Sequence, residues 1–136
     1  SGMEPVQNRI EKLPFMDWRQ LPAVIAGLDI NLMPLENSLF HWCKSENKWT
    51  EAALVKVPSV MSRNCEMEYV VENGKDGWMC TTKEEWVNAL EALVTDEKAR
   101  KAMGEAAHQK VMEHYLTVNT GKDAMEELLC SESYTK

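Results

Sequence analysis

The chain has 136 residues, 44% of them hydrophobic and 27% charged, with a formal net charge of −7. That length suits one domain, which buries roughly two thirds of its unfolded surface and needs no metal or disulfide staple to fold. The acidic balance excludes a nucleic-acid binder that works through bulk electrostatics, and leaves only local basic spots to hold a phosphate.

In chain order, Ser1-Gly2-Met3 reads as a cleavage scar or cloning remnant and is left out of fold reasoning. Residues 8–16, NRIEKLPFM, read as a short strand or extended entry. A helix follows within 17–28, with Asp17 as N-cap; Pro22 fits best in its first turn, so the regular helix starts near Leu21. Residues 29–35 have the apolar character of a buried strand ended by Pro34. A loop, 35–44, leads to a helix over 45–56 with Ser45 as N-cap, stopped before Pro58.

The next strand is 57–62, followed by a short helix in 65–74 closed by Asn73-Gly74 and a strand at 76–80. The segment 82–96 places Trp86, Ala89, Leu90 and Leu93 at helical spacing, and Thr82 with Glu85 forms a capping box. Further helices cover about 96–115 and 119–131. Short apolar strands alternating with helices predict an α/β fold: a Rossmann-like parallel sheet with helices on both faces. In such sheets ligands bind beyond the C-terminal ends of the strands, where loops run into helix N-termini.

Residues 43–52, CKSENKWTEA, lie at such an end. Two lysines, Lys44 and Lys48, flank a helix start that prefers negative charge by about 0.3–1 kcal/mol. The free N–H groups of Glu46, Asn47 and Lys48 could hold a phosphate, with Lys44 or Lys48 neutralising it. Glu51, one turn after Asn47, could accept hydrogen bonds from the vicinal hydroxyls of a ribose. The plainer reading makes Lys48 and Glu51 a surface ion pair worth a few tenths of a kcal/mol, and Glu46 argues against a phosphate beside it. Trp42 in the loop either packs or lines a sugar site. Trp49, Trp86, Met61 and Met79 read as core. The acidic run EYVVENGKD (68–76) reads as a solvated turn before a metal site.

The cysteines at 43, 65, 80 and 130 form no C-x-x-C pair, and His41, His108 and His114 have no zinc spacing, so no metal or cofactor is expected. Reduced thiols, no apolar run near 18 residues and no signal peptide point to the cytoplasm. No G-x-G-x-x-G, Walker loop or nucleophile elbow occurs, and nothing suggests a nucleophilic catalytic residue.

The succession LPAVIAGLDINLMPL, KSENKWTEAALVKVPSVMS, EYVVENGKDGWMC and TKEEWVNALEALVTDEKARKAMGEAAHQKVMEHY resembles the C-terminal half of retaining, B-type glycosyltransferases of the "group 1" family over residues 13–118. The resemblance implies a nucleotide-sugar-binding domain over 4–118, with a helix and tail at 119–136, facing a separate N-terminal acceptor-binding domain. It implies that this chain is a fragment of such a parent, inactive alone, whose uncovered cleft face could drive a homodimer. Glu51 matches the second glutamate of the family's E-x7-E motif, the ribose ligand, and Cys43 stands where the first glutamate normally lies. Backbone groups around Ser45–Asn47 match the helix tip that holds the diphosphate. Lys44 and Ser45 belong to a variant K-S-x-x-K-x-x-E-A signature, so a contact of Lys44 with sugar or phosphate is not carried over from the family. Phe15 and Met16 lie near the base loop. Together these imply sugar transfer from a nucleotide-diphosphate donor without a metal, in bacterial surface polysaccharide or glycan synthesis, with the parent at the inner membrane face. The loss of the first glutamate favours the alternative, a non-catalytic interaction or scaffold domain. A receiver-type signalling domain would need an acidic pair after its first strand and an aspartate ending the third, and neither is present.

Overall fold

A computed structural model of the chain describes residues 4–36, 38–42, 44–116 and 121. Three parallel strands form the sheet in the order β1 (Asn31–Met33), β2 (Ser59–Ser62), β3 (Trp78–Cys80). Their register places Met33, Met61 and Met79 side by side on one face, and Leu32, Val60 and Trp78 on the other. Side chains alternate across a strand, so each row feeds a separate core layer.

The methionine face packs against α3 (Asn47–Leu54) and α4 (Cys65–Val70), through buried Trp49, Ala53 and Met67. The opposite face packs Val60 and Cys80 against Ala89 and Leu93 of α5 (Lys83–Thr95). The last described helix, α6 (Glu97–His114), serves both: Met103 joins the α5 layer, and Ala107 and Val111 join the methionine layer. The expected α/β architecture with helices on both faces is therefore present.

The local signals act as physical chemistry requires. Thr82 and Glu85 form the full capping box of α5, and Asp96 accepts from the N–H groups of Lys98 and Ala99 to start α6. Asp17 caps a 3-10 turn, Trp18–Gln20, that runs into α1 (Leu21–Ala26) with Pro22 in its first turn. Gly104 is fixed by close approach: a Cβ there would lie 2.1 Å from the Lys56 carbonyl oxygen, where Lys56 turns the chain with φ of 63°.

Several expectations are corrected. Residues 8–16 form no strand; a 3-10 helix, Glu4–Arg9, precedes a stretch, 10–17, with no regular structure, and no described strand pairs with it. The loop 35–44 contains a short helix, α2 (Leu39–Trp42). Helix α3 starts at Asn47, not Ser45, with Glu46 in the cap position. Helix α4 ends at Val70, where Val71 turns extended to enter the core, and Gly74 (φ +84°) instead serves the next turn. The 119–131 helix lies outside the described residues, and no described helix is long and apolar enough to cross a membrane.

Candidate functional site

The C-terminal ends of the strands open onto two neighbouring cavities, both walled by Pro34 and Leu35 where β1 exits. That exit is fixed by Ser62 at the end of β2. Its hydroxyl accepts from the Leu35 N–H at 2.8 Å and donates to the Leu35 carbonyl at 3.2 Å. The loop therefore leaves the sheet in one direction, and α2 and α3 are placed by it.

The first cavity, about 790 Å³, is lined by Leu39 and Phe40 of α2, by Lys44 and Ser45, and by Asn47 and Lys48 of α3. Helix α3 has no side-chain cap among the described residues, and no acidic residue in its first turn. Its first N–H groups are thus available to an acceptor in the cavity. Beneath them the helix is anchored by Asn31, whose Nδ2 donates to Ser59 Oγ (3.0 Å) and to the Lys48 carbonyl (3.4 Å). Trp49, fully buried, donates from Nε1 to the Asp76 carbonyl at 2.9 Å. An anchored helix tip beside two ammonium groups suits a dianionic group such as a diphosphate. Lys44 Nζ lies 5.1 Å from the Phe40 ring centroid, which holds that ammonium at the mouth.

The structure thus brings Lys44, Ser45, Asn47 and Lys48 together in one cavity. Glu46 occupies the N-cap position of α3 without capping it and lies outside the cavity lining; its charge adds to burial in pushing the Tyr115 phenol up. Glu51 is exposed one turn further along α3 and lines neither cavity; no ion pair joins it to Lys48. Phe15, fully exposed, and half-buried Met16 lie in the irregular stretch before α1 and line neither cavity. Cys43 lies outside the described residues, as does the side chain of Trp42.

The acidic run before β3 corrects another expectation, since Asp76 is buried rather than solvated. Its carboxylate accepts from the Glu72 N–H at 2.8 Å and pairs with Lys110 of α6, which also donates to the Val70 carbonyl at 2.9 Å. The pair spans 34 residues of sequence, and no local pattern announces it.

The second cavity, about 490 Å³, sits over β2 and β3 and takes in Arg63, Asn64, Thr81 and Trp86. No local pattern announces it, because its walls come from four separated segments. Burial, with the Glu85 charge, raises the thiol of Cys80 in its floor, partly offset by Arg63. Among the described residues, no group of three or more His, Cys, Asp or Glu side chains is placed to hold a metal ion.

Residues 2–96 match the family model of the group 1 glycosyl transferases. No curated protein matches the chain. Among solved structures, the C-terminal domain of LpcC, a glycosyl transferase group 1 family protein of Francisella tularensis, superposes with a TM-score of 0.64 at 17% identity, covering 85% of this chain and 58% of that one. HepE (Alr3699) of Anabaena, solved in complex with UDP and glucose, superposes with a TM-score of 0.74 at 18% identity, covering 93% of this chain and 33% of that one. The present chain therefore spans a little over half of one relative and a third of the other.

Proposed function

This chain belongs to the group 1 glycosyl transferases, and from that premise we propose that it forms the nucleotide-sugar-binding half of a retaining glycosyltransferase. One observation carries the reading: the uncapped start of α3 opens, beside Lys44 and Lys48, onto a cavity at the C-terminal end of β1. The N–H groups of the first turn and the two ammonium groups hold the donor diphosphate. They also stabilise it as it departs, an electrostatic role that needs no metal. Glu51 accepts from the ribose hydroxyls where the nucleoside runs along α3, toward Phe15 and Met16. The HepE complex with UDP and glucose supports a uridine nucleotide as the first ligand to test.

The acceptor is held by another part of the parent protein. The reaction moves a hexose from the nucleotide diphosphate to an acceptor hydroxyl during bacterial surface polysaccharide or glycan synthesis, in the cytoplasm at the inner membrane face. Alone, this half leaves the cleft open to water and does not position an acceptor, so it binds without transferring. A second reading, a binding module without transfer activity, is favoured by Cys43 at the position of the family's first motif glutamate. A full-length parent that binds a UDP-sugar but releases no UDP in the presence of glycan acceptors would establish it.

Titration of the ¹⁵N-labelled chain with UDP and GDP tests the site. Amide shifts are expected to cluster at Lys44–Glu51, and Lys48→Ala is expected to weaken binding about tenfold, a loss of about 1.4 kcal/mol. No shift in that segment at millimolar nucleotide would overturn the reading. Glu51→Ala with unchanged UDP affinity would remove the ribose contact alone.

A further inference from the structure

A buried ion pair adds little to stability by itself, because desolvating two charges offsets most of their attraction. What such a pair can fix is geometry. Asp76, 1% exposed, holds its carboxylate against Lys110 at a place where neither residue lines a cavity.

Each partner ties the pair to a different element. Lys110, on α6, also donates to the Val70 carbonyl at 2.9 Å, where α4 ends and a cation suits the helix dipole. The Asp76 carboxylate accepts from the Glu72 N–H at 2.8 Å, and the Asp76 N–H donates to the Glu72 carbonyl at 3.2 Å. The turn over 72–76 is thereby closed twice, and the Asp76 backbone is held in one orientation. Its carbonyl is the acceptor for the Trp49 indole N–H at 2.9 Å. The next residue leaves no slack: a Cβ on Gly77 would lie 2.9 Å from Val71 Cγ1 and 3.0 Å from Met61 Cε.

Trp49 is the third residue of α3 and is fully buried. Helix α3 has no side-chain cap of its own, so its placement is set from outside. Asn31 holds the Lys48 carbonyl, Asp76 holds the Trp49 indole, and Tyr115, closing α6, meets that indole edge-on at 6.1 Å. Without its cation, the Asp76 carboxylate is drawn toward water, and the carbonyl on the same residue turns away from Trp49. We propose that Lys110 is a positioning residue for the start of α3, acting through Asp76 and Trp49. Its functional consequence rests on the donor reading given above: the Asn47 and Lys48 N–H groups meet the diphosphate squarely only while Trp49 is held. Coupling of this kind is reciprocal, so a nucleotide at the α3 tip is also felt at Asp76 and Lys110.

The test uses the full ¹⁵N-labelled chain, first without ligand and then titrated with UDP. Lys110→Met is expected to move the Trp49 indole N–H and the Asn47 and Lys48 amides before nucleotide is added. It is then expected to weaken UDP binding about fivefold, and Lys110→Arg, which keeps the cation, to restore both readings. Thr82→Ala is the control, because it uncaps α5 without touching these contacts and should leave UDP affinity unchanged. A folded Lys110→Met chain with unmoved signals at Trp49, Asn47 and Lys48 overturns the proposal. So does a loss of UDP affinity that Thr82→Ala reproduces, which assigns the effect to stability alone. If Lys110→Met does not fold, titration of the unaltered chain decides. Saturating UDP is expected to shift the Asp76 and Lys110 amides, and their silence while Lys44–Glu51 respond overturns the coupling. Silence at Lys44–Glu51 with millimolar UDP and GDP sinks the donor reading instead, and the ligand-free spectra of Lys110→Met and Lys110→Arg still decide whether Lys110 places the helix start.

Discussion

The two ends of the described structure are built on different terms. From β2 onward, each helix is capped by its own sequence and closed against the sheet, and the ion pair of Asp76 with Lys110 ties α6 to the turn before β3. Before β2, the chain displays its apolar residues: eight of the thirteen exposed large hydrophobic side chains fall within residues 10–40, among them Phe15, Trp18, Leu32 and Phe40. Strand β1 is an edge strand among the described elements, and half of Leu32 faces outward. The comparison teaches that the packing of apolar side chains and their display are separated along the chain. The later part is the platform, and the earlier part, with the start of α3, is the surface the platform presents.

The comparison breaks most sharply at Trp49, which belongs to the platform although it sits three residues from the α3 tip. Trp49→Ala is expected to cost about 3–5 kcal/mol in chemical denaturation, since it empties the centre of the methionine layer and frees the Asp76 carbonyl. Lys110→Met leaves the Asp76 carboxylate buried without its cation. The Lys110 side chain is 27% exposed, so the expected loss is about 2–3 kcal/mol rather than the 3–5 of a fully buried pair. Adding Asp76→Asn in the same chain should recover part of it.

Thr82→Ala should cost about 1 kcal/mol, with amide exchange speeding first in the opening turn of α5. The same turn predicts a pH dependence. Glu85 is held below its ordinary 4.5, first by the Thr81 N–H and then by the Thr82 N–H. Its contribution is present above 4.5 and is lost as the pH falls through the lowered value, so acidification should raise exchange at Thr81 and Thr82 before the sheet opens. Smallest of all, Phe15→Ser on the display side should change stability by less than about 0.5 kcal/mol. A large loss there would show that the early segment is part of the platform after all.

Much of the fold was legible because its signals are local. Strand and helix order follow from apolar periodicity, and Thr82 with Glu85 or Pro22 in a first turn are read from spacings of a few residues. The errors lie where long-range geometry decides. Asn31 and Trp49 anchor α3 so that it begins at Asn47, and Ser45, the better capping residue, is left in the cavity wall. Asp76 looks like one more charge in an acidic turn until α6 brings Lys110 to it. The lysines at the α3 tip were visible as a local anomaly of charge against dipole. The chamber around Trp86 and Asn64 was not, because residues near 35, 63, 80 and 86 meet only once the three strands are in register.

The double allegiance of α6 also bears on how the chain is made. Trp49 and Met61 share a core layer with Val111, so the sheet cannot close that face when its third strand is complete. On a ribosome adding about 5–20 residues per second, the 31 residues from Cys80 to Val111 take about 2–6 s. During that interval a row of three methionines and an indole stands open, the stretch of synthesis in which a nascent chain most needs a chaperone's cover.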